Sequence, residues 1–198
     1  WDHWQLFKVL AYPQGGQDYP HDGVVDVTKS CTITRTGIAD CRVDLNVPND
    51  VHLNGRRIIA FASATCVTSR LINYLSADAV DAFIEAGYEP YKQHLPEFFG
   101  DPIQYIFFDH PYGGFYDWQE RTGDLGNSLM FSDNLPDEFL TKNGYSIETA
   151  LLSFILAPNS LTPKHRSDFF ETYGDLGRKT FFGRISDWAK SNGLGVSG

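Results

Sequence analysis

The sequence predicts an α/β fold with a parallel sheet, preceded by an all-β module. Three observations carry that reading. Short β-rich runs fill residues 1 to about 66, helical periodicity begins at Ser76, and an apolar run in "IQYIFFDHPYGG", residues 103 to 114, stops abruptly on two ionisable side chains.

In the first stretch, LFKVLAY, GVVDVT, TITRT, CRVDLNV and RRIIAFAS are rich in β-branched and aromatic residues and are separated by Gly, Pro, Asn and Asp turns, the pattern of successive strands. From Ser76 the period changes. The segment "SADAVDAFIEAGYEPYKQHL" puts Val80, Phe83, Ile84, Tyr88 and Tyr91 on one helical face, with Ser76 as N-cap. Ile103, Tyr105, Ile106, Phe107 and Phe108 then form a run without alternation, which suits a parallel strand covered on both faces. Asp109 and His110 fall at its C-terminal end, where α/β enzymes usually place their chemistry. The plainer alternative is that Asp109 caps a turn and His110 is a solvated loop residue.

Residues 109 to about 132 form a long loop rich in Gly, Tyr, Trp and Asp, and loops of that length are usually functional or disordered. "NLPDEFLTKNGY" reads as a helix with Pro136 in its first turn and Gly144 closing it, and "SIETALLSFIL" as a second. A third starts at "LTPKHRSDFFETYGDL", with Thr162 as cap and Pro163 at the first helical position, and runs to about Asn192. Its stripe of Phe169, Tyr173, Leu176, Phe181, Ile185 and Trp188 is a core-facing seam. "GLGVSG" reads as the start of a strand. Only two barrel-type strands can be placed after residue 66, whereas a complete eight-stranded (β/α) barrel needs about 250 residues. The pattern therefore predicts part of a barrel or of another α/β enzyme in residues 67–198, with residues 1–66 as an inserted β-rich module.

The chain has 198 residues, 42% hydrophobic and 15% aromatic, enough to build a core. Sixteen basic against twenty-five acidic side chains give a formal charge of -9, which disfavours nucleic acid and anionic membranes as partners. No apolar run approaches the roughly 20 residues of a membrane span, and WDHWQLFKVL lacks the basic start and cleavage pattern of a signal peptide. A signal already removed or a start inside a longer protein would each account for that. Cys31 and Cys41 bracket a turn-like TRTGIAD segment, so a disulfide across it is expected, and with it an oxidising compartment. Cys66 is left over, as a buried thiol or paired outside these residues. No CxxC or HExxH spacing occurs, and His3, His21, His52, His94 and His165 show no ligand pattern; each reads as surface or locally hydrogen-bonded.

"LINYLSADAVDAFIEAGYEPYKQHLPEFFGDPIQYIFFDHP" resembles the part of the α-L-rhamnosidases of glycoside hydrolase family 106 that runs from a "DYL-x-x-x-A-x-x-x-F-I" helix, through an "FFG-x-x-I" turn, to a strand ending Asp-Glu-Pro. "FSDNLPDEFLTKNGYSIETAL" is similar to its "W-x-x-x-L-P-x-x-F-x-x-x-x-GY" segment, and "SDFFETYGDLGRKTFFGRISDWAKSNGLGVSG" to its long helix with "EW-x-x-x-x-GL-x-x-x-GH". "VVDVT" and "DLNVPNDVHLNGRRIIAF" are similar to its β-module. The resemblance implies part of a (β/α)8 TIM-type barrel interrupted by a β module, inverting glycosidase chemistry on a carbohydrate substrate, and a calcium site; the secreted or extracytoplasmic location is expected from the Cys31–Cys41 disulfide. It also implies that further barrel segments, or a second chain of the same protein, complete the site.

One departure is chemically large. Inverting hydrolysis uses a carboxylic acid and a carboxylate about 6.5 to 9.5 Å apart, and the family's Asp-Glu-Pro glutamate is replaced here by His110, between Asp109 and Pro111. A histidine can exchange protons near neutral pH. His110 and Asp109 are therefore the candidate catalytic pair, with Asp117, Glu120 or Asp133 as alternative acids and Tyr112, Phe115, Tyr116 and Trp118 as sugar-stacking platforms. Three functions remain open: a glycosidase of rhamnosidase type, a polysaccharide lyase with His110 as base, and a non-catalytic sugar-binding relative.

Overall fold

The computed structural model describes residues 2–13, 23–37, 40–46, 53–65, 71–109 and 129–198. They form two compact units, Trp1–Arg70 with Ser146–Arg166, and Leu71–Tyr145 with Ser167–Gly198. The segment Ser146–Arg166 thus belongs with the β-rich residues, a membership that a division at residue 66 does not contain.

In the first unit, β1 (Asp2–Pro13) pairs antiparallel with β5 (Arg56–Thr65) along most of its length, and β2 (Val25–Asp26) adds to its other edge. As the central strand, β1 is covered on both faces, and Val9, Leu10, Ala11 and Tyr12 are all buried. Leu10 and Tyr12 pack with Leu152 from α4 (Ile147–Ser153), and Val24, Ile59, Phe61 and Leu156 close around them. Polar groups secure the same helix. Lys8 Nζ lies 2.8 Å from Asp26 Oδ2 and 2.7 Å from Glu148 Oε1, and Arg166 donates from Nε and Nη2 to the Ser153 carbonyl.

The hairpin of β3 (Cys31–Arg35) and β4 (Cys41–Leu45) corrects the expected disulfide. Cys31 stands opposite Leu45 and Cys41 opposite Arg35, so the strand register does not set the two cysteines opposite each other. The two are offset by four positions, roughly 13 Å along the strand, while a disulfide needs Cα atoms within about 7 Å. Both thiols are free. Cys31 donates to the Val27 carbonyl at 3.3 Å, and burial, with the Asp26 charge behind it, raises its pKa. Cys66 lies outside the described residues.

In the second unit, α1 (Ala77–Gly87) begins at the expected cap: Ser76 Oγ accepts from the Ala79 N–H. Val80 and Ile84 meet Phe181 and Ile185 in a core edged by Tyr74, Tyr88, Ile106, Phe108 and Trp188. The seam stops there. The helix breaks after Gly87 and restarts as α2 (Glu89–His94), leaving Tyr91 exposed. Trp188 Nε1 donates to Glu89 Oε1 at 2.6 Å, and Arg184 pairs with Asp81.

The apolar run at 103–108 is strand only over β6 (Tyr105–Phe107), which pairs in parallel with β7 (Gly195–Ser197). Full coverage is not observed. Ile106 and Phe108 turn to the helices, whereas Tyr105 and Phe107 stay 64% and 68% exposed. The uninterrupted hydrophobicity therefore marks a strand with one packed face and one bare one among the described residues.

α3 (Leu135–Asn143) follows its sequence signals, with Pro136 in the first turn and Gly144 at φ 76° closing the helix through its N–H to the Leu140 carbonyl. The long helix α5 (Thr162–Gly177) is capped by Asn159, three residues before Thr162. Asn159 Oδ1 accepts from the Leu161 and Thr162 N–H groups, and Thr162 Oγ1 accepts from the Asn159 N–H, a reciprocal box. After α5 the chain makes a π-helical segment, Arg178–Gly183, before α6 (Arg184–Ser191). The extra residue in that turn keeps the stripe in register: Phe169, Tyr173, Leu176, Phe181 and Ile185 are all buried despite the five-residue step from 176 to 181. His165 is buried, which sets aside the surface alternative of its two expected placements.

Candidate functional site

Two places on the second unit have the geometry of a site. The first is the C-terminal end of the parallel pair. Tyr105, Ile106 and Phe107 stand opposite Gly195, Val196 and Ser197, and the Phe108 N–H donates to the Ser197 carbonyl at 3.1 Å. The ring of Tyr105 lies close over Gly195: a Cβ at residue 195 would stand 2.6 Å from it. The chain leaves β6 through Phe108, buried-face inward, into Asp109, which is exposed at the strand end.

Of the residues singled out from the sequence, Asp109 and Asp133 are described, and both are exposed. Asp133 sits in the turn before α3, where Ser132 Oγ donates to Asn134 Oδ1 at 2.6 Å and the Leu135 N–H returns to the Ser132 carbonyl at 3.0 Å. Asn73 Nδ2 holds the preceding Phe131 carbonyl at 2.5 Å. His110, Tyr112, Phe115, Tyr116, Asp117, Trp118 and Glu120 lie outside the described residues. An exposed carboxylate can orient a hydroxyl or activate water, and acid–base hydrolysis needs a second ionisable group across from it.

The second place is an open groove of about 660 Å³ between α3 and the rod formed by α5, the π segment and α6. Lys142 Nζ lies 2.6 Å from Asp175 Oδ2, Arg178 Nη2 lies 3.1 Å from Asp175 Oδ1, and Lys179 Nζ lies 2.9 Å from Glu138 Oε1. These contacts favour the charged forms. The hydrogen bond to Asp175 raises the Lys142 pKa, and hydrogen bonds from Lys142 and then Arg178 lower that of Asp175. Phe182 forms part of the wall, 42% exposed, its ring braced edge-on by Phe181 at 5.2 Å and tilted on Phe108 at 5.6 Å. Sequence periodicity finds Phe181 and misses Phe182, because a strict 3.6-residue period gives no sign of the π turn that sets one ring inward and its neighbour outward.

No family model matches this chain, and no curated protein matches it in sequence. A solved structure does match: the rhamnosidase from Novosphingobium sp. PP1Y, at a TM-score of 0.56 and 16% identity over 88% of this chain. In fold, the chain resembles part of a rhamnosidase. It spans 16% of that protein's length. The likeness is one of fold, a mixed helix and sheet arrangement.

Proposed function

We propose that this chain is part of a glycoside hydrolase of the α-L-rhamnosidase kind, family 106, acting with inversion on a terminal deoxysugar of a polysaccharide or glycoside. The observation that carries the reading is Asp109, exposed at the C-terminal end of a strand in parallel register with β7, within a fold similar to a rhamnosidase's. In this reading Asp109 and His110 form the rim of a (β/α)8 barrel. His110 moves the proton that the family's glutamate would move, and the aromatic loop that follows grips the sugar. Further strands complete the barrel, from other segments or from a second copy, since Tyr105 and Phe107 expose one face of β6 and the described sheet has two strands.

Calcium stays part of what the resemblance implies, and among the described residues no three His, Cys, Asp or Glu side chains stand together. It enters no step. The extracytoplasmic location rests on the carbohydrate substrate alone, because the cysteine pairing no longer speaks for it.

The test is release of rhamnose from an aryl α-L-rhamnoside by the protein with every segment needed to complete the barrel. His110→Ala should lower turnover by about 10² to 10⁴ with little change in binding, and His110→Glu restores the family's residue. Binding of rhamnosides without release by either the native protein or the Glu variant would overturn the hydrolase reading in favour of a binding module. Ultraviolet-absorbing unsaturated products would instead identify a lyase.

A further inference from the structure

The groove beside the π segment has neither Asp109 nor Asp133 among its lining residues, although its Phe182 ring packs on Phe108 at the strand end. Its chemistry is unusual in one respect. Three cations, Lys142, Arg178 and Lys179, face three carboxylates, Glu138, Asp175 and Asp187, and each cation is already within ion-pair distance of a carboxylate. Glu171 Oε2, 3.6 Å from Lys142 Nζ, adds a fourth carboxylate at the rim, so the groove has no surplus positive charge to attract a phosphate, a uronate or an acidic peptide. It is nonetheless crowded with strong donors and strong acceptors standing side by side. The ligand that suits such an array carries groups that donate and accept at the same atom, and hydroxyls do so.

The ring of Phe182 supplies the other half of the argument. It is large, apolar and nearly half exposed, yet Phe181 and Phe108 hold it in place. A braced ring presents an apolar platform at little cost in side-chain entropy. The π turn at Arg178–Gly183 sets it beside the ion pairs, with Gly183 also lining the groove. A flat apolar face bordered by alternating donors and acceptors is complementary to a pyranose, which has C–H bonds on one face and hydroxyls around its edge.

We propose that this groove is a carbohydrate-binding site for neutral oligosaccharides, with Phe182 as the stacking platform and the Lys142–Asp175 and Lys179–Glu138 pairs as hydroxyl partners. The site stands on the groove's own residues and does not depend on the hydrolase reading: oligosaccharide bound here without cleavage supports it fully.

The full-length protein and its His110→Ala variant are applied to an array of neutral and acidic oligosaccharides, and glycans retained by both are titrated by NMR. The expected result is retention of neutral glycans by both proteins, with amide shifts over residues 178–187. Phe182→Ala should weaken binding about tenfold or more, the order expected for loss of one stacked ring, while Phe182→Trp keeps it. Circular dichroism checks that both variants fold. Raising salt should change affinity little, because no net charge is neutralised. Retention of acidic glycans only, of none, or of neutral glycans equally by Phe182→Ala overturns the proposal, as do shifts confined to residues around Asp109.

Discussion

Replacing Lys8 by Met keeps the aliphatic stem and removes the charge that bridges Asp26 and Glu148. The two arms of that bridge differ. Asp26 is 45% exposed and Glu148 18%, so the first resembles a surface ion pair, worth about 0.2–1 kcal/mol. The second is a charge-assisted hydrogen bond of 2.7 Å in a more shielded place, for which about 1–2 kcal/mol is expected, the lower part of the range for bonds to charged groups because Lys8 is itself partly exposed. A double-mutant cycle with Glu148→Gln should return that coupling, and one with Asp26→Asn less than about 1 kcal/mol, each read from urea unfolding and from amide exchange in β1. The pH dependence gives a second signature. Burial alone would push the Glu148 carboxyl up, but hydrogen bonds from Lys8, its own backbone N–H and Ser146 hold it below its ordinary 4.5. Asp26 is likewise held below 3.8 against the opposing effect of burial. Depressed carboxylates contribute stability above their ordinary values and lose it as pH falls through the folded ones. Lys8, raised above 10.5 chiefly by its hydrogen bonds to Asp26 and Glu148, contributes below 10.5 and loses its share as pH climbs past the folded value. The stability difference between native protein and Lys8→Met should therefore be flat between about pH 5 and 10 and shrink toward both ends. A Lys8–Glu148 coupling no larger than that to Asp26, or a difference that grows on acidification below pH 4, would refute the reasoning.

Gly195→Ala places a methyl 2.6 Å from the Tyr105 ring and should cost about 1–3 kcal/mol; adding Tyr105→Ala should recover most of it, and an unrelieved double variant would show the strain to lie elsewhere. Phe139, fully buried and edge-on to Tyr145 at 5.1 Å, should lose roughly 3–5 kcal/mol on truncation to Ala; denaturant midpoints at constant slope measure this. Cys31 and Cys41 should both alkylate with iodoacetamide without prior reduction, Cys31 more slowly because its thiol is hydrogen-bonded and its pKa raised. Peptide mapping that finds either cysteine accessible only after reductant would contradict the hairpin register.

Local signals were legible in the sequence because each acts within one turn of chain. Ser76 caps α1 through its own side chain, Gly144 closes α3 in a conformation that favours glycine, and the apolar stripe from Phe169 to Ile185 lies on one helical face. The position of Asp109 at a strand end was readable for the same reason, since an apolar run stops where the chain leaves the sheet. Tertiary structure decided what depends on partners distant in sequence. The register of β3 on β4 separates two cysteines that look paired, Ser146–Arg166 joins the β-rich unit through Leu152 and Glu148, and Tyr105 and Phe107 are bare because the helices cover one face of β6. Phe182 belongs with these. Hydrophobicity reports that a ring prefers burial, but a single extra residue in a helical turn rotates the following side chains by about 100°, more than a quarter of a turn, relative to a fixed core. Which of two adjacent phenylalanines faces the core and which the groove was therefore settled by packing against Tyr74, Phe108 and Ile185.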